Sequence, residues 1–416
     1  MVVVSLIMTA AVTPVVSVIY KPLRKGIPYK RRTVESSKDD TEFRILICIH
    51  NTKNTSTMIS VLDASHASKK SPVCAYVVHL VELTGRASAM LIVHNTRRTG
   101  RSVMNRTQAL TDVILQSFEA YEQQADYVSV QPLTAISPYS TMHEDICTIA
   151  ENKKVALIII PFHKQLTVDG SMETANPAYR TIYQNVMTHA PCSVGVLVDR
   201  GFAGYGRGSS ANVYHRVAVL FFGGRDDREA LAYSWRMADH SRIMLTVMRF
   251  IEGEAAKSSL NDNALDEKAL QAFKREKAAG NEMVTYVEQV VNNGEETMTA
   301  IKSIDSTHDL FIVGRGEGAL VSVTAGLTDW SECPELGPIG DSLASSDFSS
   351  MVSVLVIQQY AAAEGDGSDS PASPNDNVYS IQMNNRQASS TDQPVFLPHE
   401  EALKNPFATF PDGWHS

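Results

Sequence analysis

The chain is 416 residues long, with 44% hydrophobic, 7% aromatic and 20% charged residues. That length predicts two or three domains, and that apolar share excludes general disorder. With 46 acidic against 37 basic side chains the formal charge is −9, which argues against a dedicated nucleic-acid binder.

The first predicted element is a membrane segment over residues 1–20. Val2 to Tyr20 carries no charge, and an apolar run of about 18 residues or more is near the minimum that crosses a bilayer core. Pro14 inside it fits one helix of a bundle, whose neighbours satisfy the backbone groups a proline frees. Lys21, Arg24, Lys25, Lys30, Arg31 and Arg32 follow in a basic linker, residues 21–42. By the positive-inside rule they place everything downstream in the cytoplasm, and they can also bind anionic lipid headgroups. A signal peptide carries its charge before the apolar run, which is the reverse of this order.

Residues 43–200 read as a first α/β unit. Phe43 to His50, Cys74 to Leu83, Val155 to Pro161 and Val194 to Asp199 are near-continuous apolar runs of strand length. Tyr127 to Leu133 offers a weaker, alternating strand between them. Apolar runs separated by helices mark a parallel sheet covered on both faces. Thr55 to Ala64 supplies the first crossover helix, with Met58, Ile59 and Leu62 inward. Leu110, Val113, Ile114, Ser117, Phe118 and Tyr121 repeat at three and four, predicting one buried face. Thr141 and Glu144 form a T-x-x-E capping box before Ile146 and Ile149. The alternation of strand and helix describes a doubly wound open sheet.

After a glycine- and serine-rich joint, residues 201–214, the same order restarts over residues 215–360. Arg216 to Phe222, Ile243 to Phe250, Asp309 to Gly314 and Ser353 to Gln359 match the strands of the first unit. Gly253 to Gly280 reads as an insertion carrying a solvent-facing helix, with Ala264, Leu265, Leu270 and Phe273 alternating with charge. Residues 361–416, opening AAAEGDGSDSPASPNDN, form an acidic tail too polar to fold. The fold expected is therefore α/β: one transmembrane helix, two tandem doubly wound parallel-sheet domains and a disordered tail.

Gly326 to Tyr360, with the unbroken string Asp329-Trp330-Ser331-Glu332-Cys333-Pro334-Glu335-Leu336-Gly337, resembles the closing signature of plant cation/proton exchangers, the CHX family. Ala190 to Gly201 (APCSVGVLVDRG), Phe221 to Leu231 (FFGGRDDREAL) and the FRILICIHN opening resemble further signatures of that family. MTAAVTPVVSVIYKPLRK resembles the end of its last membrane helix. The resemblance covers about residues 1 to 360. It implies an antiporter exchanging a monovalent cation, typically potassium, for protons, with universal-stress-protein-like cytosolic domains. It also implies that the ion-binding acids lie in helices this chain does not hold.

Universal-stress-type domains that bind ATP carry G-x-x-G, then nine residues, then glycine and a hydroxyl residue. Gly337 and Gly340 supply the first half, whereas Ser350 stands where glycine is wanted, and its Cβ hinders close backbone approach to a phosphate. Gly337, Gly340 and Ser350 are the cofactor-binding candidates; a turn and helix start is the favoured reading of the glycine pair, and no cofactor is expected. Asp226 and Asp227 suit capping of a helix start and its dipole, with a cation or pH sensor at the sheet edge as the alternative. His50, His79, His94, His143, His163 and His189 offer groups that titrate near neutrality, but their spacing forms no metal motif and structural roles are expected. The five scattered cysteines contain no C-x-x-C pair, which predicts neither disulfides nor a zinc site and fits a reducing compartment. Cys333 has no base near it in sequence. No nucleophile elbow or Walker-type loop appears, so no enzyme is expected.

The expectation is the regulatory C-terminal portion of a potassium/proton antiporter, in the endomembrane system or plasma membrane, acting in cation and pH homeostasis. Its partners would be the membrane, the remaining transporter helices, and potassium and protons as transported species, without nucleic acid. The alternative is a stand-alone, membrane-anchored nucleotide-binding or interaction protein.

Overall fold

Val, Ile and Leu dominate the segments that form the central sheet, and both faces of that sheet are covered. The computed structural model describes residues 32–37, 41–83, 90–93, 106–167, 172–174, 176–202, 214–253, 260–316, 322–329, 331–345, 348 and 351–361. The expected membrane segment, most of its basic linker, His94, Ser350 and the acidic tail lie outside the described residues. Among those described, no helix is long and apolar enough to cross a membrane.

The first half runs β1 (Phe43–Ile49), α1 (Thr55–Ala64), β2 (Val73–Glu82), β3 (Met90–Val93), α2 (Arg106–Glu122), β4 (Val128–Ser137), α3 (Met142–Lys153) and β5 (Leu157–Pro161). A small antiparallel pair, β6 (Lys164–Leu166) and β7 (Met172–Thr174), precedes α4 (Ala178–His189) and β8 (Ser193–Val198). The second half runs β9 (His215–Phe221), α5 (Arg225–Met237), β10 (Ile243–Glu252), α6 (Leu260–Phe273), β11 (Val284–Val291), α7 (Gly294–Asp305) and β12 (Leu310–Gly314). A 3-10 turn (Pro334–Leu336), α8 (Gly337–Ala344) and β13 (Ser353–Gln358) close it.

Eleven strands form one sheet, ordered β11-β10-β9-β12-β13-β8-β5-β1-β2-β4-β3. Each half thus carries the doubly wound order, β1 flanked by β2 and β5 in the first and β9 by β10 and β12 in the second. Neighbours are parallel except at the edge pair β3–β4 and at the seam, where β13 runs antiparallel to β8, Val354 opposite Val198 through Gln358 opposite Val194. Because each half is parallel and the seam is not, the carboxyl ends of the two strand sets point to opposite edges of the sheet. Gly195 makes room at the seam: an added Cβ would stand 3.1 Å from Leu355 Cδ1.

Two cores follow from the alternation of side chains across the sheet. Ile45, Ile47 and Ile49 of β1 join Met58 of α1, Phe118 of α2, Tyr233 of α5 and Phe273 of α6. Leu46 and Cys48 join Ile146 of α3, Ile182 of α4, Ile301 of α7 and Leu343 of α8 on the opposite face. Both cores run across the seam, and Tyr233 Oη meets Ser65 Oγ of the other half at 2.7 Å.

The structure corrects three local expectations. Thr141 precedes α3 without a side-chain cap, so the capping box does not form. Leu110 and Val113 are exposed, because the buried stripe of α2 is rotated to Thr111, Ile114, Leu115, Phe118 and Tyr121. The Gly253–Gly280 segment is the crossover between β10 and β11, not an insertion. Its helix exposes Leu265 but buries Asp266, Leu270 and Phe273, since a crossover helix must cover its own sheet.

Leu355 is fully buried opposite Leu197. Leu355→Ala should lower the unfolding free energy by about 2–5 kcal/mol. Urea unfolding of the chain should show one transition that shifts as a whole; two transitions, only one of them shifted, would show that the halves unfold independently.

Candidate functional site

The first turn of α5 gathers the densest set of buried charge among the described residues. Gly223 and Gly224, at φ 110° and 95°, let the chain leave β9 in a conformation that side-chain-bearing residues rarely adopt. Asp226, Asp227, Arg228 and Glu229 follow, all buried. Gly224 is the cap position and no side chain caps it, so the expected N-capping role is not how these acids act.

Each carboxylate instead binds backbone from another segment. Asp227 Oδ2 accepts from Phe222 N at 2.6 Å and Gly223 N at 2.9 Å, and its Oδ1 accepts from Gly314 N of β12 at 2.8 Å. Asp226 accepts from Gln359 N beyond β13 at 2.9 Å. Arg228 Nη1 donates to Asp266 of α6 at 2.5 Å, and Asp266 Oδ2 accepts from Gly224 N.

Glu229 receives the chain that precedes β1. Its Oε1 accepts from Val34 N at 2.5 Å and its Oε2 from Glu35 N at 3.0 Å. Gln359 Nε2 donates to Glu35 Oε2 at 2.6 Å, Arg228 Nε lies 3.7 Å from Glu35 Oε1, and Arg32 bridges Cys192 at the start of β8. Burial raises the Glu229 pKa above the usual carboxylate range, against the pull of its hydroxyl and N–H donors. Nothing in the sequence marks this contact, since the partners are 195 residues apart.

The predicted cofactor residues lie elsewhere. Gly337 sits at φ 74°, where an added Cβ would overlap the Arg315 carbonyl. At Gly340 it would stand 2.8 Å from Val356 Cγ2. The pair lets α8 lie close on β12 and β13, which accounts for both glycines without a ligand. Beside it is a cavity of about 230 Å³ lined by Asp227, Gly314, Arg315, Pro338 and Ile339. A carboxylate there repels phosphate. Among the histidines, His50 hydrogen-bonds Tyr183 and stacks on Tyr179, and burial lowers its pKa to about 4. His79 is buried against Thr111. His50 is therefore a neutral core group near pH 7.

The Ser331–Gly337 string docks on the first half. Lys164 Nζ donates to Glu332 Oε2 at 2.7 Å, and Arg180 Nη2 donates to the Glu332 carbonyl and to Glu335 Oε2. Asp341 holds the Glu332 and Cys333 N–H groups.

Burial lifts the Asp227 carboxyl up to about 7, opposed by its three N–H donors. An ordinary carboxyl titrates near 4, so between about pH 4 and 7 the folded chain keeps a proton that the unfolded chain has lost. Stability from this group is complete in acid and lost as pH rises through about 7. Asp227→Asn should flatten the fall in unfolding midpoint between about pH 5 and pH 8; an unchanged slope would remove this assignment. Gly337→Ala should destabilise by about 1–3 kcal/mol, read by the same unfolding measurement.

Residues 75–202 match the model of the plant cation/H(+) antiporter domain, and residues 214–358 match that of the plant cation/H(+) antiporter C-terminal domain. Cation/H(+) antiporter 15 of Arabidopsis thaliana is 58% identical over 394 residues, covering 90% of this chain and 48% of that protein. Cation/H(+) antiporter 23, chloroplastic, of the same plant is 45% identical over 372 residues, covering 86% and 43%. The chain thus spans about half the length of the curated relatives it matches. A universal stress protein from Archaeoglobus fulgidus aligns over 76% of this chain and 96% of its own, with 12% identity and a TM-score of 0.40. Two consecutive domain models and these relatives place the chain in the plant cation/H(+) antiporter family.

Proposed function

We propose that residues 43–200 and 215–360 are two cytosolic regulatory domains of a potassium/proton antiporter, linked through residues 21–42 to a membrane helix at residues 1–20. The names of the relatives supply the transported species, a cation and a proton. The single observation that carries the regulatory reading is the docking of Val34 and Glu35 on Glu229. The segment that leads from the apolar run into the first half is gripped by the second half. A change in the second half therefore has a path of direct contact to the membrane side.

The grip has a direction in pH. Two backbone N–H groups bound to an ionised carboxylate make charge-assisted bonds, worth about 1.5–3 kcal/mol each. Burial raises the Glu229 pKa, so the docked carboxyl holds a proton that a released, solvated one would lose. By linkage, acidification favours the held linker and a rise in pH loosens it. Regulation requires only that the held and released linker differ in their preference for two transporter states.

Glu229→Ala should expose the bond after Arg32 to trypsin about ten- to a hundredfold faster, because cleavage follows the open population. In an intact antiporter carrying this region, the same substitution should shift the pH range over which it restores growth to yeast lacking potassium uptake. A released linker with an unaltered pH profile would overturn the coupling.

A further inference from the structure

A second buried cluster, away from Glu229, joins the halves by different chemistry. The chain leaving β5 places His163 against Phe162, and the 3-10 turn after Cys333 brings Glu335 two residues beyond it. One ligand atom each of His163, Cys333 and Glu335 lies within 4.8 Å of the other two, and all three residues are buried. His163 Nδ1 stands 3.7 Å from Glu335 Oε1, too far for a hydrogen bond. That oxygen accepts no hydrogen bond, although Arg180 Nε pairs with it by charge at 3.1 Å.

The surroundings already hold the three groups in place. Glu335 Oε2 accepts from Arg180 Nη2 at 3.1 Å and Gln184 Nε2 at 3.4 Å, while Oε1 lies 3.1 Å from Arg180 Nε and 3.7 Å from His163 Nδ1. Cys333 N donates to Asp341 Oδ1 at 2.8 Å, fixing the backbone that carries the sulfur. Outer partners that hold a carboxylate beside nitrogen and sulfur ligands are how metal-binding groups are oriented.

We propose that His163, Cys333 and Glu335 form a zinc site that ties the two halves of the sheet together. Imidazole with thiolate suits zinc and excludes magnesium and calcium, which take oxygen ligands. Three protein ligands leave a fourth position open to water. One thiolate and one carboxylate neutralise a divalent ion, and the thiol proton is released on binding. Lys164, paired with Glu332, and Arg180 border the cluster; their charge keeps affinity below that of an all-cysteine site. The site does not depend on the regulatory reading above.

Cobalt(II) is the probe, added to the purified full chain in detergent. One equivalent should produce a thiolate-to-cobalt charge-transfer band that zinc displaces. The band should vanish in Cys333→Ser and persist in Cys147→Ser. His163→Ala and Glu335→Gln should each weaken cobalt binding at least about tenfold. Zinc should raise the thermal midpoint of the unsubstituted chain but not that of Cys333→Ser. Absence of the band in the unsubstituted chain with excess cobalt, or its survival in Cys333→Ser, would overturn the site.

Discussion

Pairing of β8 with β13 is the constraint from which the rest of the described structure follows. Each is the last strand of its half, and each would otherwise be an unpaired edge. Joined antiparallel, they turn a six-strand and a five-strand arrangement into one sheet with a continuous core on each face. The seam also decides which loops meet. It sets α4 opposite the turn before α8, so Arg180 reaches Glu335, and it sets the end of β13 beside the start of β8, where residues 32–35 pass.

Buried carboxylates then act as brackets. A carboxylate taken from water is tolerated only when donors replace the lost hydration. Here most of those donors are backbone N–H groups from distant segments: Gly314 for Asp227, Gln359 for Asp226, Val34 and Glu35 for Glu229. One turn of α5 thereby fixes the ends of β12 and β13 and the entry of the chain into β1. These brackets carry charge in a low-dielectric setting, so they are also where protonation acts most strongly on the structure.

Much of the fold was legible from residue patterns alone. The runs Phe43–Ile49, Leu157–Pro161 and Leu310–Gly314 are strands because continuous β-branched and aliphatic residues fit a sheet buried on both faces. Thr55–Ala64 is a helix with the inward residues its spacing requires. Patterning misled where two faces compete: Leu110 and Val113 keep the right period but lie off the covered stripe, and Leu270 and Phe273 are buried in a segment that reads as solvent-facing. The candidate site was legible in part. The GGRDDRE segment stood out, but capping was the wrong role for its acids, because their partners lie in other elements.

The sequence by itself determined the α/β class, the buried central strands of both halves, the repetition of their order and the family, since all of these depend on residues a few positions apart. The tertiary structure alone decided the antiparallel seam, the partner of every buried charge, the docking of Val34 and Glu35, and the meeting of His163 with Cys333 and Glu335. Those contacts join residues separated by most of a domain or more, and no local propensity encodes a distance that only the closed sheet creates.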